Sequence, residues 1–85
     1  MYVNDNNSLN TRELYNIIEV KIEHIAHNLL LSKIHDNDNI LLEVQTLIEK
    51  VFIDTAMKIS NNNISKAAKL LGINRNTLSK KLKKH

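Results

Sequence analysis

Residues 40–59 set the terms for the rest of the chain. Positions 40, 41, 42, 44, 47, 48, 51, 52, 53, 56, 57 and 59 are all apolar, and at helical spacing they cover most of a helix circumference. The polar remainder is mainly one narrow stripe of Glu43, Thr46, Lys50, Asp54 and Lys58. A helix apolar over so much of its surface has to be enclosed by more than one neighbour. One partner helix and a small C-terminal unit cannot enclose it in a chain of 85 residues, whereas a second copy can. The sequence therefore predicts a homodimer, with Leu41, Val44, Ile48, Val51 and Phe52 in its interface.

Ahead of this stretch, Asn10 and Glu13 have the spacing of a capping-box variant that opens a helix running to about residue 32. Leu14, Ile18, Ile22, Ile25 and Leu29 step by three or four along it, which is a helical stripe. Ile18, Ile22, Ile25 and Leu29 join the expected dimer interface. Residues 1–9, rich in Asn, are expected to be a disordered tail. His35 to Asn39 form a polar break, with Asp38 or Asn39 as the next cap. The predicted organisation is a tail over 1–9, dimerisation helices over 10–60 and a C-terminal region over 61–85.

Those last residues read as two short helices about a corner. Asn63 can cap the first, whose apolar residues Ala67, Ala68, Leu70 and Leu71 are expected to form one packed side. Gly72, the only glycine, stops it in the left-handed conformation that glycine adopts freely. Asn74 can cap the second helix, in which Leu78 and Leu82 recur at a spacing of four. Small residues at 67 and 68, a glycine corner, then buried Ile73 and Leu78 make the spacing of a helix-turn-helix. The predicted fold class is all-α: four helices, two long ones forming a dimeric four-helix core, plus the C-terminal helix-turn-helix.

Charge divides at the same place. Residues 1–60 hold five Lys and Arg against nine Asp and Glu, a net −4; residues 61–85 hold seven Lys and Arg and no acid, a net +7. The attraction for a polyanion lies wholly in the helix-turn-helix, where cations interleave with a folding pattern instead of forming a loose tail. Arg75, at the start of the second helix, has the fork that matches O6 and N7 of guanine. Asn74 either caps the helix or pairs with a purine. Thr77 and Lys80 are placed for phosphates, as are Asn63, Ser65 and Lys66 at the start of the first helix. Asn76 and Ser79 lie on the outer face, and Lys81, Lys83 and Lys84 would meet flanking backbone. The expected partner is double-stranded DNA.

The run from Asn63 to Lys84, Asn-Ile-Ser-Lys-Ala-Ala-Lys-Leu-Leu-Gly-Ile-Asn-Arg-Asn-Thr-Leu-Ser-Lys-Lys-Leu-Lys-Lys, resembles the C-terminal helix-turn-helix of the Fis family. That family comprises bacterial nucleoid-associated proteins, and the module is shared with NtrC-type enhancer-binding activators. Residues 42–58 resemble it more loosely, through apolar spacing, Glu49 and Asp54; residues 14–31 agree only in pattern. The resemblance implies a DNA-bending homodimer that acts in nucleoid organisation and transcription regulation in a bacterial cytoplasm. RNA polymerase is a candidate further partner. It implies DNA contacts at Asn63, Ser65, Asn74, Arg75, Thr77 and Lys80, and sites with an AT-rich centre and guanines near their ends. Asn62 stands where the family usually has Gly, and Asn tolerates the same backbone. Ile64 and Ser79 stand where Fis has Gln and Arg, which implies weaker wrapping of flanking DNA. Fis stimulates DNA inversion through a β-hairpin arm ahead of its first helix. Residues 1–10 hold one short apolar pair and no second strand, so the arm, and stimulation of a Hin-type invertase, are expected to be lacking.

Other functions find little support. There is no cysteine for a disulfide, a thiolate metal site or a thiol nucleophile. No segment approaches the roughly 18 apolar residues of a membrane span, and the N-terminus does not resemble a signal peptide. His24 and His27 are three apart but lack further ligands, so a solvated pair is the plainer reading and no metal or other cofactor is expected. There is no Gly-rich phosphate loop and no persuasive Ser-His-Asp set, so no catalytic residue is expected. Ser65, Thr77 and Ser79 are better explained as phosphate donors or helix-end residues. Tyr2, Tyr15 and Phe52 are too scattered to stack single strands. The rivals are a dedicated regulator built on the NtrC-type domain and a protein-only dimerisation adaptor. The adaptor leaves the +7 segment unexplained.

Overall fold

The computed structural model describes residues 9–32 and 39–84, and its elements are four helices: α1 (Thr11–Leu31), α2 (Ile40–Ile59), α3 (Ile64–Leu71) and α4 (Arg75–Lys84). The all-α class is as expected. The chain divides into two units, Met1–Ile40 and Leu41–His85. Residues 1–8 of the expected tail over 1–9, and residues 35–38 of the expected polar break with the proposed cap Asp38, lie outside the described residues.

α1 begins where the capping pattern places it. The Asn10 side chain accepts from the Glu13 N–H at 2.8 Å, and the Glu13 carboxylate accepts from the Asn10 N–H at 3.0 Å. Two of the donors that a helix start leaves unpaired are thereby satisfied. None of its residues is buried within the single chain, and the stripe of Ile18, Ile22, Ile25 and Leu29 remains well exposed.

The second unit has a small core of its own. Ile53 and Ala56 from α2, Ala67 and Ala68 from α3 and Leu78 from α4 are buried, with Met57, Ile64, Leu71, Ile73 and Leu82 packed around them. Two alanines at the crossing let α3 and α4 approach closely, and Leu78, 0% exposed, fills the space they leave. At about 100° per residue, Ile53, Ala56, Met57 and Ser60 lie on one side of α2. Leu41, Val44, Ile48, Val51 and Phe52 lie on the other, and Phe52 is 54% exposed. The broad apolar circumference thus resolves into two arcs: the narrower is buried in the core, and the wider stays exposed except at the half-buried Val44.

One expectation about α3 needs correction. Leu70 does not belong to the packed side: it is 56% exposed, because it sits about 100° round the helix from Leu71 and away from Leu78. Ile64 turns inward onto the core, so this departure from the family pattern serves packing.

The corner between α2 and α3 is tightly paired. Ser60 and Asn62 donate their N–H groups to Ala56 and Met57 at 3.0 and 2.8 Å, and Asn61 and Asn63 to Lys58 and Ser60 at 3.2 and 3.1 Å. Asn62 is left-handed, as its place in the pattern predicts, and so is Asn61, which was not anticipated (φ 65° and 54°). The buried Ser60 hydroxyl donates to the Met57 carbonyl at 3.1 Å.

Candidate nucleic-acid interface

Two side-chain caps and one glycine orient the surface that carries the cations. The Asn63 side chain accepts from the Lys66 N–H at 3.0 Å and starts α3. Gly72 ends α3 at φ 75°, and the Ile73 N–H donates to the Ala68 carbonyl at 3.0 Å. Asn74 accepts from the Asn76 N–H at 2.7 Å. The capping role left open for Asn74 is therefore filled, by an oxygen that leaves the side-chain amide N–H₂ available to donate. With α4 fixed this way, its first residue, Arg75, is exposed beside the start of α3.

Between the outer face of α3 and the start of α4 lies an open depression of about 570 Å³, lined by Asn63, Ser65, Lys66 and Lys69 with Ile73 and Arg75. Three cations and no carboxylate face it. Donors of this kind converging on a shallow, water-accessible surface suit the oxygens of a phosphodiester backbone. Lys69 was not among the residues expected from the sequence. Its position three residues after Lys66 was the available signal, but a lysine in the last turn of a helix is equally well explained by the helix dipole.

On α4 the outer arc, opposite Leu78, carries Asn76, Thr77, Lys80, Lys83 and Lys84, all exposed, while Ser79 is half-buried. Lys81 differs from its neighbours. Its Nζ lies 2.9 Å from Oε2 of Glu49 on α2, with both side chains about one-third exposed (33% and 37%). Among the described residues no carboxylate bridges Arg75, Lys80, Lys83 or Lys84. The other bridge joins Lys50 and Asp54 at 2.9 Å along the polar stripe of α2.

The remaining sequence candidates, His24 and His27, belong to α1. His24 is 3.3 Å from the Asn28 amide nitrogen on α1, and no group of His, Asp and Glu among the described residues is arranged to hold a metal ion. No helix of the described residues is long and apolar enough to cross a membrane.

Comparison with known proteins points to the same region. Residues 45–85 match the family described as "Bacterial regulatory protein, Fis family". A Fis-like DNA-binding protein of Ralstonia nicotianae is 49% identical over 47 residues, 55% of this chain and 61% of that protein. The DNA-binding protein Fis of Vibrio cholerae is 47% identical over 38 residues, 45% of this chain and 39% of that protein. The Fis protein of Vibrio campbellii matches to the same extent. The chain thus covers less than two thirds of the length of these relatives. No solved structure matches it.

Proposed function

We propose that this chain, whose residues 45–85 match the family of bacterial regulatory proteins of the Fis type, is a homodimeric protein that binds and bends double-stranded DNA. It would act without enzymatic activity, in nucleoid organisation and transcription regulation in the bacterial cytoplasm. The observation that carries the reading is the surface at the start of α4. Arg75 stands exposed and without a carboxylate partner among the described residues, beside a depression lined by two further cations. In this reading Arg75 reads a guanine, Asn74 adds a donor to a base edge, and Asn63, Ser65, Lys66, Lys69, Asn76, Thr77, Lys80, Lys83 and Lys84 serve the backbone or flanking positions. The exposed apolar stripes of α1 and α2 are closed by a second copy. A gel shift at two salt concentrations tests the reading as a whole, since a protein-only adaptor would show no salt-sensitive affinity for duplex DNA.

Two more specific outcomes follow from the roles assigned. Arg75→Ala removes a bidentate base contact and is expected to cost ~1–3 kcal/mol at sites carrying the guanine, flattening the preference among sites. Lys80→Ala is expected to weaken all sites alike and lower the slope of log affinity against log salt by about one unit. Binding-site selection with each variant separates these effects. An unchanged site preference in Arg75→Ala would remove that residue from base reading.

DNA bending is the second outcome. In Fis-like dimers the recognition helices stand closer together than successive major grooves of straight duplex. DNA must then curve and compress its central minor groove, which AT-rich steps do at least cost. A circular-permutation gel is expected to show mobility that depends on the position of the site. Uniform mobility would rule out this geometry.

A further inference from the structure

The bridge between Lys81 and Glu49 separates one lysine from an otherwise outward-facing basic helix. Building on the DNA-binding reading, we propose that Lys81 and Glu49 are positioning residues. They form a brace that sets the angle of the recognition helix α4 against α2, and Lys81 is not itself a phosphate contact.

Three observations support this. At about 100° per residue, Lys81 falls on the flank of α4 beside Leu78, whereas Asn76, Lys80 and Lys83 fall on the far side. Glu49 lies one turn before the buried Ile53, on the side of α2 that faces the core. The bridge therefore lies at the edge of the core to which Ile53 and Leu78 both belong. Its geometry is that of a charge-assisted hydrogen bond at 2.9 Å, with both side chains about two-thirds covered.

The mechanical need is plain. α4 is ten residues long and buries one of them completely, Leu78. Leu82, half-buried near the far end, packs against the same core, but apolar packing along one edge leaves a helix able to roll about that edge. An attachment on the flank, to a residue 32 positions away in sequence, resists that roll. For Lys81 to reach a phosphate it would have to leave Glu49, exchanging one anion for another with little net gain. In a dimer the angle of α4 decides where the two recognition helices meet the duplex, so the brace acts on bend and site spacing and leaves the count of phosphates unchanged.

The test compares Lys81→Gln, Glu49→Gln and the double variant in the full chain. Affinity for one AT-centred duplex, its salt slope and the gel-measured bend are recorded near 0.15 M salt, where the screening length is ~8 Å. The brace predicts that all three variants bind ~2- to 5-fold more weakly, the loss in the double variant matching either single one. It also predicts that all three share an altered bend and keep the wild-type salt slope. A slope lowered by about one unit in Lys81→Gln would overturn it, as would tighter binding by Glu49→Gln, as when a freed lysine gains a phosphate. Wild-type affinity and bend in all three variants would also overturn it. Failure of the wild-type chain to bind duplex in a salt-sensitive way is a different result, and it would remove the DNA-binding reading on which the brace rests.

Discussion

Leu78→Ala is expected to abolish the folded helix-turn-helix, and DNA binding with it. Leu78 is fully enclosed, and it is the side chain that α4 contributes to the buried core. Truncating a buried Leu costs about 2–5 kcal/mol, through lost transfer energy and the cavity left behind. The core holds only four other buried apolar residues, two of them alanines on α3 that cannot move in to fill the gap. A unit this small holds a stability of the same order as the loss. Thermal unfolding followed by circular dichroism is expected to show the helical signal of the variant melting far below wild type. Exchange to Met, which conserves volume, should cost less than about 1.5 kcal/mol. A variant Leu78→Ala with wild-type thermal stability would mean that the core has another keystone.

Ile48→Asp is expected to dissociate the proposed dimer while leaving the separate chain little disturbed. Ile48 is 38% exposed in the single chain and lies on the uncovered arc of α2, so a carboxylate there remains partly hydrated when the chain is alone. In a closed dimer the same position is enclosed twice, once for each subunit. Placing an unpaired charge in an apolar interface costs several kcal/mol, and each 1.4 kcal/mol is about a tenfold change in dissociation constant. Val44→Asp, on the same arc, is expected to act in the same direction. Sedimentation at micromolar concentration should show dimeric wild type and monomeric variants. A wild-type chain that is folded, stable and monomeric at that concentration would overturn the assignment of this face.

Features set by neighbours in sequence were the most legible. Asn10 with Glu13, Asn63 with the Lys66 amide and Asn74 with the Asn76 amide are all bonds spanning two or three residues. Residue type and spacing nearly determine such bonds, as they do the left-handed Gly72. Features that depend on where a helix face ends were less legible. Leu70 counts toward an apolar pattern yet lies just past the edge of the packed arc, while Ile64, read against its place in a family pattern, lies within it. The bond between Lys81 and Glu49 was not legible at all. Nothing local couples position 81 to position 49, and one more lysine in a basic helix reads as one more phosphate contact. Lys69 was obscured in the opposite way: its local role at a helix end was sufficient to explain it, and only the shape between α3 and α4 places it beside Arg75.

The corner at residues 60–63 has a consequence for how force passes through the second unit. Four successive amide groups are engaged by carbonyls of the last turn of α2 or of the corner itself, across two left-handed residues. A joint so fully tied is a bracket and not a swivel. If the helix-turn-helix binds and bends DNA as proposed, torque from a resisting duplex is delivered to α2 instead of being absorbed at the bend. Divergence at this point is constrained accordingly. Side chains at 61 and 62 can be exchanged for others that accept a left-handed backbone, but the number of residues cannot change, because one more would untie the amides and let the head swing.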